Sequence, residues 1–153
     1  MELSLTEIAI RLISATLLSS VLGIERQIHL KPAGFRTCGL VGVGSAAMTL
    51  MGVMIAMQTP GIDQTRIASI VVQGIGFLGA GVIIQASGAV HGLTTAATLW
   101  VVAGIGIACG FGLWQPALLV TIIAIVLLVV FGPLDAKLEE TCKDGFKGIF
   151  KKK

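Results

Sequence analysis

The chain has 153 residues, of which 55% are hydrophobic and only 12% charged, with a formal net charge of +3. A soluble domain carries about 25% charged residues, so lipid is the solvent for most of this chain and a water-soluble globular fold is excluded. The 20 glycines follow no Gly-X-Y period, which excludes collagen, and their apolar surroundings exclude a flexible linker.

The chain opens "MELSLTEIAIR", acidic where a secretory signal would be basic, and no small-residue cleavage site closes the first apolar run. That run, about Leu5–Ile24, is expected to stay as the first membrane span. Arg11 stands four residues after Glu7, where it can pair with that carboxylate or snorkel outward. The span ends at Glu25 and Arg26, and the connector "ERQIHLKPAGFR" leads to Arg36 and Thr37. An interfacial belt suffices for Arg26 and Lys31. Glu25 gains nothing from such a belt, and a Glu25–Arg36 pair is expected to close the first hairpin, solvated loop residues being the alternative.

The second span, about Thr37–Met57, brings Gly39, Gly42 and Ala46 together. The third, about Ile67–Gln85, contains "QGIGFLGAG". Its G-x-G-x-x-G spacing matches a dinucleotide fingerprint, but that motif needs a preceding strand and water-accessible phosphates. Here it sits in mid-span with no nearby Lys or Arg, so nucleotides and nucleic acid are not expected partners. At about 100° per residue, Gly74 and Gly81 share one face while Gly76, Gly79 and Ala80 share the opposite one. Missing side chains on two faces allow close flanking on both sides. A local break near Gly79–Gly81, opening backbone carbonyls to a cavity, is the alternative. Gln73 and Gln85 bracket the span.

The fourth span, about Leu93–Trp114, opens with Thr94, Thr95 and Thr98, which either bond back to their own helix or line a polar path. Gly104, Ala108 and Gly112 form one small-residue row, and Gly106 with Gly110 forms another. The second, third and fourth spans are expected to make the tight inner bundle. The fifth, about Ala117–Phe131, is β-branched and nearly glycine-free and is expected to face lipid. Pro116 suits its first turn. After Pro133 the residues read either as an amphipathic helix on an anionic surface or as a solvated tail. The expected fold is an all-α bundle of about five transmembrane helices, because each run is continuously apolar and lacks the alternation of a β-barrel.

Five spans put the first connector and the C-terminus on one side, with Arg26, Lys31, Arg36 and six lysines from Lys137 onward. The positive-inside rule places that side in the cytoplasm and the N-terminus outside. Cys38 and Cys109 read as packing thiols, and neither metal-ligand spacing nor a cofactor motif is present. No G-x-S-x-G, H-E-x-x-H or Cys/His constellation points to catalysis. Three functional classes stay open: a regulator that docks against partner helices through glycine-rich faces, a transporter with Glu25, Gln73, Gln85 and the threonines lining a path, and a structural homo-oligomer, which explains the glycines but not the boundary charges.

The strings "GIERQ", "KPAGFRTCGLVGVGSA", "RIASIVVQGIGFLGAGVII" and "VHGLTTAATLWVVAGIGIACGFG" resemble the MgtC/SapB family of bacterial inner-membrane proteins over about residues 8 to 130. The resemblance implies a plasma-membrane protein linked to adaptation to low magnesium and to virulence. It further implies a regulator more than a magnesium transporter, with the membrane part of the F-type ATP synthase as partner; a homodimer is a further expected assembly, apart from the resemblance. By position, the family's signature falls on Glu25, Arg26, Gly34, Arg36 and Thr37, on Gly74, Gly76, Gly79 and Gly81, and on Gly92, Leu93, Thr94, Thr95 and Trp100. Longer members carry a soluble C-terminal domain resembling an ACT fold, which these residues do not include, as in a short SapB-like form or in the membrane part alone of a longer member. The position of Thr94 is asparagine in the best-known member, so a contact made by that amide does not carry over.

Overall fold

The structure, a computed structural model, describes residues 3–59, 61–86 and 89–150, with side chains up to residue 132 except Ala86. It contains α1 (Leu5–Ile28), α2 (Phe35–Gln58), α3 (Thr65–Val82), a short antiparallel hairpin of β1 (Ile84–Ala86) and β2 (Ala89–His91), then α4 (Leu93–Phe111) and α5 (Trp114–Phe150). All five helices are long and apolar enough to cross a membrane.

Local chemistry sets the ends. Ser4 caps α1 by accepting from the Glu7 N–H at 3.2 Å, and Glu7 complements the positive end of the helix. The chain then reverses through Leu30 (φ 52°) and Ala33 (φ 60°), both left-handed, to start α2 at Gly34. Gly92 (φ 90°) begins α4, packed so closely on the Val82 carbonyl that a Cβ would strike it. Gly112 (φ 77°) ends α4 in a Schellman motif, with Leu113 N bonded to Ala108 O at 2.8 Å and Gly112 N to Cys109 O at 2.9 Å.

The inner trio is α1, α2 and α4, while α3 lies along α4 and part of α2, and α5 along α4 and α1. This corrects the expected trio of second, third and fourth spans. The reason is in α1: Ala15, Ser19 and Gly23 form a small-residue row on its buried stripe, which runs from Arg11 to Arg26. A Cβ on Gly42 would meet Ser19 Oγ and the Ala15 carbonyl, and one on Gly39 would lie 2.7 Å from Ser20 Oγ. On the other side of α2, a Cβ on Gly106 would strike the Gly42 carbonyl, and one on Gly110 would lie 2.8 Å from that of Ala46. Leu22, Cys38, Val102, Ile105 and Cys109 fill the core between.

The helix α3 runs unbroken through Gly79–Gly81 to Val82, so the expected alternative of a local break does not occur. It is the least covered of the first four helices. Cβ atoms on Gly74, Gly76 and Gly81 would meet nothing within 4 Å, and one on Gly79 only Ala96 at 3.6 Å. Among its described side chains, up to residue 132, the fifth helix is largely exposed and buries the small row Ala117, Thr121 and Ala124, as its composition predicts. Its backbone stays helical past Pro133 to Phe150. The expected amphipathic face of that segment concerns side chains outside the described residues.

Candidate functional site

Buried charge is concentrated at the two ends of the inner trio. At one end, the last turn of α1 meets the first turn of α4. Arg26, 5% exposed, donates from Nη2 to Thr95 Oγ1 at 3.1 Å, and its Nη1 lies 4.0 Å from Glu25 Oε2. Glu25 Oε1 is 3.1 Å from His29 Nδ1. Arg26 Nε and Glu25 Oε2 are both buried without a hydrogen-bond partner. In low dielectric such a pair is sensitive to the loss of either member. Beside it, Gln27 Oε1 accepts the Phe35 N–H at 3.4 Å and Cys38 Sγ donates to the Ala33 carbonyl at 3.3 Å, tying the turn to α2.

Two expectations are corrected here. Arg26 is a buried linker between α1 and α4 and not an interfacial residue. Glu25 pairs with its own helix, through His29 one turn on, and not with Arg36, which stands exposed in the first turn of α2. The Glu25–His29 pair was readable from its i,i+4 spacing; the Arg26–Thr95 contact, across 69 residues, was not.

At the other end Arg11 does pair with Glu7. It also donates from Nη1 to the Gly110 carbonyl at 2.9 Å, which a helix C-terminus would otherwise leave unsatisfied. The guanidinium carbon lies 3.1 Å from where a Cβ on Gly112 would be.

Between the ends, three interior hydroxyls bond to their own helices, Thr49 to Ser45 O, Thr98 to Thr94 O and Thr121 to Ala117 O at 2.7–2.8 Å, while Ser19 Oγ is buried without a partner. Thr94, Gln85 and Thr37 are exposed, so Glu25, Arg26 and Thr95 come together and the other polar candidates do not join them. Gln73 is exposed at the middle of α3. At 100° per residue it shares an outward face with Ser69, Gly76 and Ala80, all exposed. Gly104, likewise open, lies on the exposed side of α4 with Trp100, while Ala108 of the same row is half-buried.

Similarity to known proteins decides the family. The MgtC family matches residues 12–137. The chain belongs to the MgtC family. It is 47% identical over 114 residues to Protein MgtC of Salmonella typhi, covering 74% of this chain and 48% of that protein. It is 38% identical over 137 residues to the "Putative magnesium transporter YhiD" of Escherichia coli (strain K12), covering 86% and 64%. A Haemophilus influenzae protein is 39% identical over 123 residues, covering 76% and 52%. The chain thus spans about half the length of the curated relatives it matches. No solved structure matches it. With five candidate spans, this MgtC-family chain is a multi-pass membrane protein.

Proposed function

We propose that this MgtC-family chain is a non-enzymatic regulator in the bacterial inner membrane, with its N-terminus outside and its C-terminus cytoplasmic. It serves adaptation to magnesium limitation, the setting the family resemblance gives, and virulence where its host is a pathogen. It acts by docking α3 on helices of a larger membrane complex, for which the F-type ATP synthase is the family's candidate.

The observation that carries this reading is Gln73. A primary amide exposed at the midpoint of a membrane span costs about 2–7 kcal/mol if it finds no partner in hydrocarbon. A hydrogen bond to a neighbouring helix recovers part of that, at about 0.6–2 kcal/mol. Ser69, Gly76 and Ala80 on the same face let such a helix approach closely. The glycines of α2 and α4 that face inward are already used within the chain, whereas a Cβ on Gly76 would meet nothing within 4 Å among the described residues.

A second reading, ion transport, is favoured by the name of the Escherichia coli relative. Against it stand Thr49, Thr98 and Thr121, whose hydroxyls donate to their own helices, and Thr95, whose oxygen accepts from Arg26. Two measurements separate the readings. Membrane subunits of the F-type ATP synthase should copurify with the wild type and be lost from Gln73→Leu and Gly76→Leu. Purified protein in sealed vesicles should pass no magnesium or protons; robust flux abolished by Glu25→Gln would instead establish transport.

A further inference from the structure

An open apolar groove of about 420 Å³ runs between α2 and α3, lined by Leu40, Val41, Gly44, Met48, Gly74 and Leu78 among others. That is the size of a small-ligand pocket, roughly 300–1,000 Å³. Glycine on each wall creates it: a Cβ on Gly44 or Gly74 would meet nothing within 4 Å. The groove is shut at one end, where a Cβ on Gly52 would touch Ile67 Cδ1 at 3.1 Å, and its lining residues lie from there toward the start of α2. From Leu40 to Met48 it extends about 12 Å along the helix.

The open end has a different chemistry. Thr37 continues the Val41–Gly44–Met48 row by one turn, and Arg36 continues the Leu40–Gly44 row. Both are exposed. Arg36 makes no ion pair among the described residues, its expected partner Glu25 being held by His29. Side chains lean toward the N-terminus of their helix, so Arg36 extends outward toward the membrane boundary, where the positive end of α2 adds the same sign.

We infer that this groove binds one anionic phospholipid, one of its two acyl chains between α2 and α3 and its phosphate on Arg36 and Thr37. A slot that narrows to side-chain contact at Gly52 and Ile67 suits a flexible hydrocarbon chain better than a helix about 10–12 Å across. The guanidinium at its mouth, which makes no ion pair among the described residues, selects a negative headgroup and provides the bidentate donors that phosphate accepts. This site lies on the side of α3 toward α2, apart from the outward face of Gln73 and Gly76, and does not depend on partner docking.

The test is native mass spectrometry of the full chain released from detergent, with phosphatidylglycerol and phosphatidylcholine of identical acyl chains. The wild type should retain one phosphatidylglycerol with about fivefold preference, the effect of one basic residue at the surface. Arg36→Gln should bind the two lipids equally. Gly74→Leu, whose side chain enters open space, should lose both while melting as the wild type does. Equal retention of both lipids by the wild type would overturn the site. So would retention unchanged in Gly74→Leu, or a dimer that dissociates in that variant.

Discussion

Gly106 of α4 rests on the backbone of Gly42 in α2, so that a Cβ on Gly106 would strike the Gly42 carbonyl oxygen. Lipid offers no hydrophobic drive between helices, so close backbone approach must supply the cohesion. Gly106→Ala should therefore cost about 1–3 kcal/mol by overpacking. Gly104→Ala, on the open side of the same helix, should gain up to about 1 kcal/mol from helix propensity. Unfolding in detergent reads both, and equal effects would show that α2 and α4 do not meet through Gly106.

Arg11 closes the other end of α4. Replacing it by methionine removes a charged donor from the Gly110 carbonyl, a loss of about 1.5–3 kcal/mol. Hydrogen exchange should accelerate at the Gly112 and Leu113 amides, which hold the Schellman turn. Glu7→Gln should do much less, because that carboxylate is half-exposed.

The two buried threonines of α4 should behave differently. Thr95→Val takes an acceptor from the buried Arg26 guanidinium and should cost about 1–3 kcal/mol. Thr98 gives its hydroxyl to its own helix, so Thr98→Val should cost less than half as much. Paired melting curves in detergent compare them, and indistinguishable losses would count against the Arg26–Thr95 bond.

Asp63, in the loop before α3, is held below the ordinary carboxylate range by hydrogen bonds from the Thr65 hydroxyl and N–H, with Arg66 adding a smaller effect. A folded value below the unfolded one, about 3.9, contributes stability that is present above that value. It is lost as pH falls through the folded value. Thr65→Val should raise the carboxyl titration of Asp63 toward its ordinary value by NMR; an unchanged titration would contradict the turn.

Much of this was readable from residues alone. Continuous apolar runs gave all five spans, Glu7–Arg11 followed from its spacing, and the Gly106–Gly110 row was visible as a packing face. The choice of inner helices was not, because counting glycines favoured α3 over α1. The row Ala15–Ser19–Gly23 carried the signal, since alanine and serine also let backbones approach. The expected third span runs to Gln85, whereas α3 ends at Val82 and Ile84–Ala86 pairs with Ala89–His91, an end that continuous hydropathy does not mark. The links of Arg11 to Gly110 and Arg26 to Thr95 depend on which helices meet, and spacing within one helix is blind to that.

The outward face of α3 is best tested by a photo-activatable residue at position 76, with position 123 on the exposed side of α5 as control, illuminated in native membranes. Position 76 is predicted to yield an adduct with a membrane subunit of the F-type ATP synthase, and position 123, where Ile123 is 57% exposed, only lipid adducts. Lipid adducts alone from both positions would contradict docking through α3.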